Sequence, residues 1–120
     1  MASVKNIIGD FGQQLAADFL LKRGYLILAE KYYTREGEID IVAQKDQQII
    51  FIEVKTRSSA KFGLPEEAID RQKKEKMQQA ALLYLQEKPI SDDNYRFDCL
   101  AIEIDKKNKK AVIRHHKCIC

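Results

Sequence analysis

The sequence predicts an α/β fold: a mixed β-sheet flanked by helices, in the order α-β-β-β-α-β-β. Three observations carry that prediction. Apolar residues recur at helical spacing in two separate segments, three runs of β-formers follow the first segment directly, and two more follow the second. Strands met as a consecutive group, with one long helix after the third, suit a mixed sheet in which that helix makes the crossover. A chain of 120 residues fits a single domain over 1–120. With 45% hydrophobic residues it can form a core burying roughly 65% of the unfolded surface, which argues against disorder.

The first helix is expected from about Ile8 to Arg23, where Phe11, Leu15, Phe19 and Leu20 recur at helical spacing and Gly24 follows two basic residues. Tyr25 to about Tyr33 is rich in aromatic and aliphatic residues and reads as a strand, ended by the turn chemistry of Thr34-Arg35-Glu36-Gly37. Two more strands follow, Glu38 to Gln44 and Ile49 to Thr56, on either side of the polar Lys45-Asp46-Gln47-Gln48. After a polar loop containing Gly63, Pro65 stands where a first helical residue belongs, and a long helix is predicted from there to about Glu87, with Pro89 just beyond it. Ile69, Met77, Ala80, Ala81 and Tyr84 form its apolar stripe. Tyr95 to Ile104 and Ala111 to His116 read as the last two strands, joined by a lysine-rich turn over 105–110.

Composition excludes several classes of function. Lys and Arg total 21 against 18 Asp and Glu, a net charge of +3 that does not by itself identify a nucleic-acid partner. The longest apolar run, Ala80 to Leu85, is far short of the roughly 20 residues that cross a bilayer, so no membrane span is expected. The first residues lack the apolar stretch of a secretory signal, and three cysteines cannot close into a full set of disulfides, so the expectation is a cytoplasmic protein with reduced thiols. No serine elbow, Walker-type phosphate loop or dinucleotide-binding glycine string is present, which leaves acyl transfer, nucleotide hydrolysis and hydride transfer without support.

The chemistry concentrates in Gly37-Glu38-Ile39-Asp40-Ile41 and Phe51-Ile52-Glu53-Val54-Lys55, where charges interrupt strands that otherwise look buried. Strand alternation predicts Ile39 and Ile41 on one face and Glu38 and Asp40 on the other. A hairpin with Asp46-Gln47 as its two-residue loop opposes residues whose numbers sum to 93, which sets Asp40 against Glu53 and Glu38 against Lys55. Two carboxylates that close repel unless one is protonated or a cation lies between them. All-oxygen ligation suits Mg²⁺ or Mn²⁺, with Lys55 beside the metal-bound water, and the chemistry such a group supports is phosphodiester hydrolysis. The same four residues equally suit a cross-strand ion-pair cluster on a solvated sheet face.

The wider string resembles a known family. Asp40 followed by Glu53-Val54-Lys55 on adjacent strands after an N-terminal helix resembles the PD-(D/E)XK nuclease superfamily, the restriction-endonuclease-like fold. Gly12 with Ala16, Gly24-Tyr25, Gly37-Glu38-Ile39-Asp40, Phe51 to Arg57, Gly63-Leu64-Pro65, Lys73 and Arg96-Phe97-Asp98 together resemble the bacterial YraN-like proteins, small endonuclease-like proteins related in fold to archaeal Holliday-junction resolvases. The resemblance spans about residues 9–104. It implies that Asp40 and Glu53 are metal-binding carboxylates, that Lys55 is the catalytic lysine, and that Glu38 and Arg57 support the site or face phosphate. Where the family's first helix usually reads Gly-Glu-x-x-Ala, this chain has Gly12-Gln13-Gln14-Leu15-Ala16. Gln13 offers only a neutral carbonyl oxygen, a weaker divalent ligand than carboxylate, and Asp10 on nearly the same helix face is the candidate to compensate.

Arg71, Lys73, Lys74 and Lys76 crowd the start of the second helix, where basic residues gain nothing from the helix dipole, and they form either a phosphate-binding ridge or a solvated face. Lys106, Lys107, Lys109 and Lys110 read as an exposed hairpin tip and Cys99 as a small buried strand residue; the place of Arg96 and Asp98 in the resembled string implies a structural ion pair or a contact to substrate, the first being favoured. His116, Cys118 and Cys120 match no familiar zinc spacing and have no evident fourth ligand. The first expectation is a Mg²⁺- or Mn²⁺-dependent DNA endonuclease acting on branched or distorted substrates, for which a homodimer would set two sites on symmetric strands. The alternatives are a non-catalytic nucleic-acid-binding protein of the same fold and a protein-interaction module.

Overall fold

In the computed structural model, which describes residues 4–59, 61, 63–88 and 94–120, the chain runs as α1 (Val4–Lys22), β1 (Leu26–Thr34), β2 (Gly37–Lys45), β3 (Gln48–Arg57), α2 (Arg71–Glu87), β4 (Tyr95–Asp105) and β5 (Lys110–His116). The order is the predicted one. The strands form one five-stranded sheet in sequence order; β3 and β4 are parallel and every other neighbour is antiparallel, with α2 providing the crossover between the parallel pair. No described helix is long and apolar enough to cross a membrane.

Each face of the sheet carries its own core. On the α1 side Ala16 and Leu20 pack over Ile41, Ile50, Ile52, Leu100 and Ile102; on the α2 side Met77, Ala80 and Tyr84 pack over Ile39, Val42, Phe51 and Phe97. Burial on both faces explains why β3 reads as the continuous apolar run Ile49-Ile50-Phe51-Ile52 rather than an alternating one.

The helices differ in detail from their predicted forms. The first begins at Val4 rather than about Ile8, and Phe11, predicted for its apolar stripe, is 52% exposed. Its buried face is instead Gly12, Gln13, Ala16, Ala17 and Leu20, because the helix comes so close to β3 that a Cβ on Gly12 would lie 1.9 Å from Thr56 Oγ1. The predicted helix from Pro65 is two pieces: a 3-10 turn, Pro65–Ala68, and then α2 from Arg71. Asp70 divides them. It adopts an extended conformation and its Oδ1 accepts a 2.8 Å bond from the Lys73 backbone N–H, an N-cap that starts a new helix and leaves Ile69 outside the helical stripe. Pro89 lies outside the described residues.

Strand alternation also breaks in β2, at Asp40. Ile39 belongs to the core under α2 and Ile41 to the core under α1, so the expectation that they share a face fails. The same reversal occurs in β1, where Glu30 reaches Gln13 of α1 while Tyr32 packs edge-on against Tyr84 of α2. Between them Lys31 has φ +50°, and the pairs Glu30↔Ile41 and Tyr32↔Ile39 flank the irregularity on both strands. A left-handed residue inside a strand turns the following side chain to the other face. Asp40 sits at this reversal.

Candidate functional site

The hairpin of β2 and β3 has the predicted register. Its ladder runs from Lys45↔Gln48 to Ile41↔Ile52, and Asp46 and Gln47 both take positive φ, as a two-residue hairpin loop of this twist requires. The ladder then stops one pair short of Asp40 and Glu53. Asp40 is the reason: its Oδ2 accepts a 2.8 Å hydrogen bond from the Val54 N–H, so a side chain replaces the main-chain partner and the strands part. Beyond this point Glu38 pairs with Tyr33 of β1, and the predicted opposition of Glu38 to Lys55 is not formed.

The two central carboxylates nevertheless meet. Burial, and after it the charge of Glu53, raises the Asp40 carboxyl to about 7. Burial, then the charge of Asp40, pushes Glu38 upward as well. Glu53 is 3% exposed; its Oε1 receives two ammonium groups, Lys73 Nζ at 3.3 Å and Lys55 Nζ at 3.4 Å. Its Oε2 is buried with no hydrogen-bond donor. A buried carboxylate oxygen without a donor is costly unless a cation or proton faces it. Asp40 and Glu53 therefore fit a hard divalent ion of the kind that takes one or two carboxylates. Among the described residues no three His, Cys, Asp or Glu side chains converge for metal binding, consistent with glutamine at position 13.

Beside this pair opens a cleft of about 1040 Å³, between the N-terminal half of α1 and the parted strands. Asp10, Gln13, Asp40, Lys55, Arg57 and Ser58 contribute to its lining. Gln13 is buried, and its Nε2 donates to the Asp40 carbonyl at 2.8 Å and to Glu30 Oε1 at 3.4 Å, so it braces the reversal in β2 through its nitrogen. Asp10 lines the same cleft on its exposed side, where it pairs with Lys31 Nζ at 3.0 Å. Arg57 presents a buried Nε–H with no acceptor.

The basic run of α2 divides. Lys73 joins the acidic pair; Arg71 pairs with Glu75 on the exposed surface, Lys76 lies beside Gly37, and Lys74 is half-buried without an acidic contact to this site. Sequence reasoning placed Lys73 on a phosphate ridge and missed its contact with Glu53, as it missed Lys31, Glu30 and the Val54 N–H. The packing of α2 brings Lys73 there; the available signals are its place in the resembled string and its position as a cation in a helical first turn, where the dipole disfavours it.

A second polar cluster contains the expected pairing of Arg96 with Asp98. Asp98 is fully buried and accepts from Arg96 Nε at 3.0 Å and from the Cys118 N–H at 3.1 Å, with His115 Nε2 at 2.7 Å. His116 Nε2 lies 2.7 Å from Glu66 Oε2, and all three cysteines are free.

The family model described as Uncharacterised protein family UPF0102 matches residues 12–102, from the close-packed Gly12 to Ile102 of β4. A UPF0102 protein of Syntrophomonas wolfei is 43% identical over 108 residues, covering 90% of this chain and 92% of that one. The corresponding protein of Dictyoglomus thermophilum is 44% identical over 102 residues (85% and 86%), and that of Caldicellulosiruptor bescii 47% over 103 residues (84% and 86%). On this likeness over nearly its whole length, the chain belongs to the UPF0102 family, the YraN family.

Proposed function

We propose that this protein is a metal-dependent DNA endonuclease that hydrolyses phosphodiester bonds, with branched DNA as the first substrate class to test. The observation that carries the reading is the pairing of Asp40 with Glu53 at the point where β2 and β3 part, with Glu53 Oε2 buried and lacking a donor. Asp40 and Glu53 would hold Mg²⁺ or Mn²⁺, which when bound supplies Lewis-acid stabilisation of phosphate charge and an acidified water. The remaining chemistry belongs to the chain. Lys55 Nζ, at the cleft rim, donates to a phosphate oxygen and stabilises charge developing there. Arg57, with its unmatched Nε–H, and Ser58 offer donors to the nucleic-acid backbone. Gln13 holds the Asp40 carbonyl and so keeps the carboxylate in the gap. Recognition through backbone and shape suits a small chain without a base-reading element.

The test is cleavage of four-way-junction and linear DNA in Mg²⁺ or Mn²⁺ against chelator, by the wild type and a folded Glu53→Gln variant. Metal-dependent cleavage lost in Glu53→Gln supports the reading. A second reading, a nucleic-acid-binding protein without catalysis, is favoured by the neutral Gln13 on the α1 side. It predicts salt-sensitive retention on DNA with no cleavage in any metal.

A further inference from the structure

Two ammonium groups on one carboxylate oxygen is an unusual arrangement, and the two are not equivalent. Lys55 belongs to the strand that carries Glu53 and also lines the cleft. Lys73 arrives from a different element. Asp70 caps α2 through the Lys73 backbone N–H at 2.8 Å, which sets the Lys73 stem at the first turn, and its Nζ reaches back 3.3 Å to Glu53 Oε1. Beyond the Asp70 cap no acidic residue stands in that first turn, so this cation lies near the positive end of a helix, an unfavourable place that its contact with Glu53 helps offset. Its charge also acts on Asp40 and Glu38, so it serves all three acids where β2 and β3 part.

We propose that Lys73 is a built-in counter-ion of the Asp40–Glu53 pair that a divalent metal must displace, so that it sets the threshold of metal concentration at which the site loads. The inference rests on the metal-binding reading of that pair. The physical basis is competition: an ammonium within contact distance of Glu53 repels a 2+ ion at the same carboxylates, and it satisfies part of their charge in the ion's absence. Once displaced, the Lys73 ammonium is free to meet a phosphate oxygen across the same gap. A plain structural ion pair makes the opposite prediction, because removing Lys73 would then leave Glu53 less well placed and metal affinity unchanged or weaker.

The experiment is calorimetric titration of Mn²⁺ into metal-free wild type, Lys73→Gln and Lys73→Arg, each first checked for folding by thermal melt. Lys73→Gln is expected to bind Mn²⁺ roughly tenfold tighter or more, and Lys73→Arg, which keeps the charge, to stay near wild type. Equal or weaker binding by Lys73→Gln overturns the inference, as does absence of binding in all three proteins. Should Lys73→Gln not fold, reductive methylation of the wild type decides the matter by mass spectrometry. Lys73 labelling should rise several-fold on adding Mn²⁺ while exposed Lys76 stays constant, and a Lys73 rate indifferent to Mn²⁺ overturns the proposal. Because both readouts follow metal and lysine rather than turnover, they decide the role of Lys73 whether or not the protein cuts DNA.

Discussion

The Asp40 carboxylate accepts the Val54 N–H at 2.8 Å, and in doing so it ends the β2–β3 ladder and opens the gap in which it meets Glu53. One side chain thus parts two strands and supplies half of an acidic pair. Its hydrogen bond and its charge can be separated by substitution.

Asp40→Asn keeps an acceptor for Val54 and removes the charge. In metal-free wild type the Asp40 carboxyl is raised from 3.8 to about 7, so the folded state holds this proton more tightly than the unfolded chain. The stability gained from it is complete below about pH 4 and is lost as pH rises through about 7. Urea midpoints in chelator should therefore fall between pH 5 and pH 8 in wild type, and fall less in Asp40→Asn. At pH 8 the variant should be the more stable protein.

Glu66 titrates with the opposite sign. Hydrogen bonds from Arg114 above all hold it at about 2, below its ordinary 4.5, so its contribution is present above pH 4.5 and is lost as pH falls toward 2. Glu66→Gln should be less stable than wild type at neutral pH, and its melting temperature should drop less steeply between pH 4.5 and pH 2.

Gly12→Ala forces a methyl group to within 1.9 Å of Thr56 Oγ1. Overpacking of this kind costs about 1–3 kcal/mol, and a Thr56→Ala partner should restore part of it in a double-mutant cycle. Gly9→Ala, in the same helix with nothing within 4 Å, should instead gain up to about 1 kcal/mol from helix propensity. Equilibrium urea unfolding of the wild type, Gly12→Ala, Thr56→Ala, their double variant and Gly9→Ala distinguishes close approach from a general effect of alanine in α1.

Asp98→Ala would leave Arg96 and the Cys118 N–H without their buried acceptor. A loss of about 3–5 kcal/mol is expected, with Mn²⁺ affinity unchanged under conditions where the variant is folded. Removal of the Asp70 cap by Asp70→Ala should cost about 1 kcal/mol.

Much of this was readable from local pattern. The element order followed from periodicity, and the two-residue loop at Asp46-Gln47 combined with apolar alternation set the hairpin register that the structure has. Alternation failed at Ile39 and Ile41 because it assumes uniform extended backbone, whereas Lys31 at φ +50° and the Asp40 side chain interrupt it, and neither is a local preference of lysine or aspartate. The break at Asp70 was missed because Pro65 is an equally good start for a 3-10 turn. Lys73 and Gln13 reach Glu53 and the Asp40 carbonyl across sequence separations that no spacing rule encodes. Phe11 misled for a related reason: apolar character marks a helix face only where the helix stands off from its partner, and at Gly12 this one does not.

The central claim is that Asp40 and Glu53 form a divalent-cation site, and the most direct measurement is calorimetric titration of Mn²⁺ into metal-free wild type alongside Glu53→Gln. Saturable binding of one ion by the wild type, abolished or weakened at least roughly tenfold in a folded Glu53→Gln, is the predicted result. Binding that is the same in both proteins, or absent from the wild type, would contradict the account and leave the acidic pair as an ion-paired element of the sheet.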